Sequence, residues 1–436
     1  MKSSTGRRPH HALPRTSRRV GAAGAVLGVL AAVTVGFAPG ASASDAQSKQ
    51  WYLGPMQVEQ MWKVSTGKGV KVAVLDTGVN ADTPSLKGQV LTGETPASVA
   101  YHATRDYMGH GTTMAELIAG TGADGGLKGI APGAKIVPYR ILLDSLTDSA
   151  ERKKTPSAEE AIRAAADTDV KIISMSFGAV APTADEEAAI DYAASKGKLL
   201  IASAGNKGTS PGDTIGYPAR YPYVVGVAAV DQASTVSKFS SSGGAVDLAA
   251  PGQGFPGWCD DTFRAYCDNR NGTSPAAAIT SGSAALIWSA HPDWSVNQVT
   301  RALIDTAGRT WSKSNPSKYL GYGTIRPRLV LADSHYDAGA ANVDPLGVEN
   351  IGDLLAKSAG SAASAKGATP ATPSSSASTP SQSAQKASTG GTAAAGSSAE
   401  TRKDDSGTLW IVLGAAAAVI VVCGAGFAVM RARRTG

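Results

Sequence analysis

Between about residues 50 and 333, short runs of apolar and β-branched residues alternate with alanine-rich stretches of helical spacing. The runs at 70–75, 134–141, 170–175, 198–203 and 223–230 are largely apolar and too short for helices, which predicts strands buried on both faces. Between them, residues 115–120 read as part of a helix. Residues 157–167 read as a helix opened by a capping box, with Ser157 at its start and Glu160 three positions on. Residues 184–196 read as a helix stopped by Gly197, and a long alanine-rich helix runs from Ser274 to about Trp288. Strand and helix in alternation predict an α/β domain of three layers, a mostly parallel central sheet with helices on both faces.

The two ends break this pattern. Residues 1–43 hold a basic stretch (Lys2, Arg7, Arg8, Arg15, Arg18, Arg19), an uncharged apolar run over 20–38, and the small residues Ala41-Ser42-Ala43. That is the three-part layout of a secretory signal peptide cleaved after Ala43. An uncleaved anchor is the alternative, disfavoured by the alanine and glycine content of the run, and Ser17-Arg18-Arg19 leaves both Sec and twin-arginine export open. Residues 409–430 are apolar over about the thickness of a bilayer, opened by Trp410 and followed by Arg431, Arg433 and Arg434. The expectation is one transmembrane helix over 409–430 and a cytoplasmic tail over 431–436, with everything before the helix outside the cell membrane. Residues 360–406 are dominated by Ser, Ala, Thr, Gly and Pro and bury too little apolar surface to offset chain entropy. We assign 336–406 to a low-complexity stalk whose less biased start, about 334–357, is a partly ordered trailing piece, and 44–335 to the folded domain.

Charge narrows the partners. The formal balance is +6, but residues 1–43 carry six of the 41 basic residues and no acid, leaving 35 basic against 35 acidic groups. Nothing here predicts nucleic-acid binding. Of three cysteines, Cys423 lies in the expected span, and Cys259 and Cys267 are expected to close a short disulfide loop in an oxidising compartment. No HxxxH or CxxC spacing supports a zinc site. No metal or cofactor is assigned; scattered Asp and Asn leave structural calcium open without naming a site.

Ligand crevices of open α/β sheets lie beyond the carboxyl ends of the strands, so polar residues that follow buried strands are the candidates for chemistry. Asp76 directly follows the first apolar run, although an Asp there is commonly a turn residue. His110 stands between Gly109 and Gly111 at the opening of a helix, whereas His102 lacks such neighbours and His291 and His335 read as surface positions. Ser274 begins the long helix and is followed by Pro275, an arrangement that would also serve as an N-cap. A serine at a helix start has the positive end of the helix dipole beside any oxyanion it generates.

Together, Asp76-Thr77-Gly78, Gly109-His110-Gly111-Thr112 and Gly272-Thr273-Ser274 resemble the three signature blocks of subtilisin-like serine proteases, in that family's order. The resemblance covers about residues 69–327. It implies a serine endopeptidase with Asp76, His110 and Ser274 as catalytic triad and a protein or peptide as substrate. Ala202-Ser203-Ala204-Gly205-Asn206 resembles the block that supplies the oxyanion-hole asparagine, which implies a hole built from Asn206 and the amide of Ser274. Ser176-Phe177-Gly178 resembles one wall of the P1 pocket, with Ala204 and Gly205 opposite it.

Some positions depart from the family pattern. Pro275 and Ala278 stand where Met and Pro are usual, and Thr113 and Glu116 where His and Gly are common. Pro275 removes an amide this family does not use, but it rules out an α/β-hydrolase elbow, as Pro211 does at Gly208-Thr209-Ser210-Pro211-Gly212. Glu116 is expected to face solvent, and residues 144–156, with Glu151, Arg152, Lys153 and Lys154, to form a solvated surface insertion. Little chain is left before the domain for a folding prodomain. The short extension, disulfide loop, stalk and span resemble the mycosins, membrane-anchored subtilases associated with type VII secretion, and imply that machinery as partner. The alternative is a catalytically silent scaffold of the same fold in a membrane secretion complex.

Overall fold

The computed structural model describes residues 43–208 and 214–346. The expected signal run, the transmembrane helix over 409–430, the tail, and all of the stalk past residue 346 lie outside the described residues. Among those described, no helix is long and apolar enough to cross a membrane.

Three short helices, α1 (Ala43–Ser48), α2 (Leu53–Met56) and α3 (Val58–Trp62), precede strand β1 (Lys71–Asp76). A long loop leads to α4 (His110–Ala119), then come β2 (Lys135–Arg140), α5 (Ser149–Arg152), α6 (Ala158–Ala166) and β3 (Ile172–Met175). After α7 (Ala184–Ser195) come β4 (Leu199–Ser203), β5 (Val224–Val230) and β6 (Leu248–Pro251), then a hairpin of β7 (Gln253–Trp258) and β8 (Tyr266–Asn271). Helices α8 (Thr273–Ala290), α9 (Val296–Thr306) and α10 (Arg328–Leu331) complete the described chain.

Six strands form one sheet in the order β2-β1-β3-β4-β5-β6, with every neighbouring pair parallel. Parallel pairing needs crossovers that cover the faces, so these strands are buried on both sides: all of β3, β4 and β5 is buried, and only Lys71 of β1 reaches partial exposure. Helices α4 and α8 pack together on the sheet; α6 and α7 form a second packed pair against β1 and β4. This is the three-layer α/β architecture expected. Leu75, fully buried in β1, shows the scale of the packing: Leu75→Ala should cost about 2–5 kcal/mol through transfer loss and cavity formation.

The capping box at α6 is present, with Glu160 N–H donating to Ser157 Oγ and Ser157 N–H to Glu160 Oε2. Residues 336–346, placed at the head of the stalk from sequence, are held on α9. Arg301 donates to the carbonyls of Ala338, Ala340 and Val343, and Asn297 to that of Ala341. The expected surface insertion over 144–156 is largely exposed, with an inward contact at Glu151. Arg140, at the end of β2, is fully buried and pairs with Glu151 of α5 at 2.8 Å, while His102 Nδ1 lies 3.2 Å from the same carboxylate. A buried guanidinium needs a partner charge, and that need draws part of the segment inward.

Candidate active site

The strand order reverses at β1, since β2 lies on one side of it and β3 to β6 on the other. Asp76, the last residue of β1, therefore sits at the topological switch where crevices form. Its carboxylate is buried, and Oδ1 accepts from His110 Nδ1 at 2.6 Å and from the Thr77 amide at 2.8 Å. A carboxylate only accepts, so in this pair Nδ1 is the donor and Nε2 is the nitrogen left without a proton. Close approach of the two segments depends on Gly111, where a Cβ would stand 2.2 Å from the Gly78 carbonyl oxygen and 2.9 Å from Asp76 Cβ.

His110 is the first residue of α4 and is half-buried. Burial works to lower its pKa, but the charge and hydrogen bond of Asp76, with the charge of Asp106, outweigh that and hold it above the ordinary histidine value. Asp106 was not singled out from sequence. Buried beside the loop, its Oδ1 accepts from Thr77 Oγ1 and the amides of Met108 and Gly109, and its Oδ2 from the amide and hydroxyl of Thr112, all at 2.7–2.9 Å. An Asp three residues before a glycine that precedes a helix is the available signal, an Asx turn fixing the entry to the helix.

At the other side, α8 opens with Gly272 as N-cap in an extended conformation, without a side-chain cap. Ser274 is thus the second helical residue, not the cap. Pro275, the third, falls where an amide would have no intrahelical partner in any case. Ser274 Oγ donates to the Ser176 carbonyl at 3.1 Å, and Ser176 Oγ donates back to the Ser274 carbonyl at 3.1 Å. Asn206 follows β4, and its Oδ1 accepts from the Thr273 amide at 2.9 Å and the Thr273 hydroxyl at 3.1 Å. Those two donors fix the amide's orientation and leave Nδ2 as the group free to donate. The Thr273 hydroxyl also accepts from Gly205 N–H at 3.0 Å, so Thr273 joins the two segments, a role the sequence did not disclose.

Two cavities meet along Ser176, Phe177, Gly178 and Ala179. One, of about 370 Å³, is lined by His110, Thr77, Met108, Leu142 and Phe177; the other, of about 180 Å³, by Ser274, Asn206, Gly205 and Phe177. Ser176, Phe177, Gly178 and Gly205 line these cavities. Ala204 does not: it is wholly buried, with its N–H bonded to Val227 and its carbonyl to Gly216. Cys259 and Cys267 form a disulfide with a Cα–Cα distance of 4.9 Å. Among the described residues, no group of three or more His, Cys, Asp or Glu could hold a metal ion.

Glu116 does not face solvent. It is fully buried, accepting from Thr83 Oγ1 at 2.9 Å and from Tyr266 Oη at 2.8 Å. Burial pushes its carboxyl up to about 7, against the lowering effect of those hydrogen bonds.

The model of the subtilase family matches residues 67–323, more than half of the chain. The chain belongs to the subtilase family. As a subtilase it is a serine-type endopeptidase. It is 32% identical to thermitase of Thermoactinomyces vulgaris over 288 residues, covering 62% of this chain and 95% of thermitase. Among solved structures, this subtilase resembles MycP1 from Mycobacterium smegmatis, with a TM-score of 0.54 and 25% identity over 70% of this chain and 88% of that one. It also resembles the MycP3 protease from the type VII (ESX-3) secretion system, with a TM-score of 0.53 and 28% identity over 67% and 90% of the respective chains. The mycosin likeness drawn from sequence is thus repeated at the level of the fold.

Proposed function

We propose that this subtilase cleaves peptide bonds through an acyl-enzyme on Ser274, with His110 as general base and acid and Asp76 as its orienting carboxylate. The observation that carries the reading is the 2.6 Å contact of His110 Nδ1 with buried Asp76, with His110 and Ser274 lining two cavities that share the wall Ser176, Phe177, Gly178 and Ala179. Ser274 Oγ turns from the Ser176 carbonyl toward His110 Nε2, loses its proton there and attacks the substrate carbonyl. The oxyanion is met by Asn206 Nδ2 and the Ser274 amide at the positive end of α8. His110 returns the proton to the leaving amine, and water then hydrolyses the ester by the same route in reverse.

A fluorophosphonate probe tests this on the full chain. Wild type should be labelled, and Ser274→Ala and His110→Ala should not; an unlabelled wild type that is folded by circular dichroism would sink the reading.

The finer placement rests on residues 409–430 and the arginines after them, which support a single-span anchor with the catalytic domain outside the cell. Deleting 409–436 should release the chain from carbonate-washed membranes, and its retention would count against the anchor. The likeness to MycP1 and MycP3 supports a substrate carried by type VII secretion machinery. Cells lacking this chain should accumulate an uncleaved exported protein that wild type, but not Ser274→Ala, restores to its cut form. An unchanged exported proteome would remove that assignment.

A further inference from the structure

The two positions at which the block around His110 departs from the family pattern, Thr113 and Glu116, both face the disulfide-closed hairpin. Trp258 N–H, at the end of β7, donates to Thr113 Oγ1 at 3.0 Å, and that hydroxyl donates to the Gly109 carbonyl at 2.7 Å. Tyr266, at the start of β8, gives its hydroxyl to Glu116 Oε2. The surfaces touch closely: a Cβ on Gly109 would lie 2.6 Å from the Asp260 carbonyl oxygen, and one on Gly257 would lie 2.9 Å from Thr113 Cγ2.

The hairpin is itself braced. Trp258 and Tyr266 stack at 3.9 Å, and Cys259–Cys267 ties the strands where they part. Arg270 bonds the carbonyls of Trp258 and Cys259. The segment between α1 and α2 also holds it, through Lys49 to Asp268 at 2.8 Å and Trp51 Nε1 to the Gln253 carbonyl at 2.9 Å. The hairpin also leads straight into the nucleophile, because β8 ends at Asn271 and Ser274 follows three residues later.

One body thus touches the helix that begins with His110 and is covalently continuous with the helix that carries Ser274. We propose that the disulfide-closed hairpin, seated on α4 by Thr113 and Glu116, sets the position of His110 relative to Ser274, so that Thr113, Glu116 and Tyr266 are positioning residues of the reaction. This rests on the assignment of His110 and Ser274 given above. A buried carboxyl is an unusual choice for a purely structural contact, since an apolar pair of the same shape would hold the helix without its desolvation cost. What the hydrogen bonds add is a fixed distance and direction. Reacting groups displaced by about 1 Å can lose on the order of 10²-fold in rate, so small shifts of this joint would be felt in turnover.

The test uses full-length enzyme and steady-state cleavage of a peptide substrate, with active sites counted by fluorophosphonate. Tyr266→Phe should lower kcat per labelled site by about tenfold with KM unchanged, as expected for an interaction that aligns reacting groups and does not bind substrate. Glu116→Ala should lower it at least as much, Glu116→Gln, which keeps one acceptor for Tyr266, should restore most of it, and Glu116→Ala with Tyr266→Phe should fall no further than Glu116→Ala alone. Thr113→Val should act in the same direction. If Glu116→Ala does not fold, Tyr266→Phe and Thr113→Val still decide the matter, because neither empties the site beneath the hairpin. Wild-type kcat per labelled site in Tyr266→Phe and Thr113→Val, or a change confined to KM or to the melting temperature, would overturn the proposal. Failure of the triad assignment would instead show as wild type without label or as activity retained in Ser274→Ala.

Discussion

The two helix starts that face each other across the crevice are built in opposite ways. At α4 the histidine end is over-determined: buried Asp106 accepts four hydrogen bonds from residues 108–112 around His110 and a fifth from Thr77, and buried Asp76 holds the ring directly. At α8 no carboxylate lines the cavity beside the serine, where Lys207 is the charged lining residue. Gly272 caps without a side chain, Thr273 and Asn206 hold each other, and the Ser274 hydroxyl rests on the Ser176 carbonyl. A base must be aimed before it is useful, and a carboxylate aims a ring well because it accepts strongly in a dry site. A nucleophile must be free to move, and an anion beside it would oppose the oxyanion about to form. Negative charge therefore gathers on the histidine side.

That contrast breaks most sharply at Asp76. Asp76→Asn offers Nδ1 a donor in place of one acceptor, favours the wrong tautomer, and should lower kcat about 10⁴-fold. It should also move the acid limb of the rate profile to lower pH. As the proposed base, His110 must be neutral to act; Asp76 raises its pKa, and without that charge the ring sheds its proton at lower pH. An unmoved acid limb would mean that His110 is not the titrating group. On the serine side, Asn206→Ala removes the donor proposed to gain strength in the transition state. Its expected loss is about 10²–10³-fold in kcat with little change in KM or in pH profile. A shifted pH profile in that variant would show the two ends to be less separate than their chemistry indicates.

Much of this contrast could be read from the chain, and what could not has a physical cause. Strands β1, β3, β4 and β5 were legible because burial on both faces requires an unbroken apolar run. Strand β6 escaped notice, being only Leu248–Pro251 and ending in a proline, and β8 escaped it because its side chains are largely exposed and polar. Asp76, His110, Ser274 and Asn206 were visible as motifs. Asp106 was not, because an Asp in a loop ordinarily reads as a turn former. Glu116 was misread because charge on a helix defaults to solvent, and its partner Tyr266 lies 150 residues away. Local pattern reports which face is wet, whereas a buried polar pair is a fact about two distant segments at once.

Asp106 offers a finer cut through the histidine end. Asp106→Asn keeps one acceptor oxygen but sets an NH₂ group against donors, so the loop loses definition, and we expect roughly a tenfold loss in kcat. Because the charge of Asp106 also raises the His110 pKa, the acid limb should move down, by less than in Asp76→Asn. A loss in kcat with no movement of the limb would make Asp106 a brace alone.

The last effect is on stability and leaves turnover least changed; it concerns the carboxyl that the histidine end shares with the hairpin. The Glu116 pKa lies near 7 in the folded chain against an ordinary 4.5, so between those values the folded state holds a proton that the unfolded state has released. Stability must then fall as pH rises from about 4.5 to about 7 and level off above, by on the order of 3 kcal/mol from this group. Asp247, half-buried and also pushed up to about 7, contributes with the same sign, so wild type alone does not isolate Glu116. The difference does: in urea unfolding across pH 4.5–8, Glu116→Gln should show a shallower decline than wild type, and Asp247→Asn should remove a separate share. Parallel wild-type and Glu116→Gln curves would mean that the Glu116 carboxyl is ionised at little cost. The histidine helix would then meet the hairpin through an ordinary charge-assisted hydrogen bond, not through a proton held by burial.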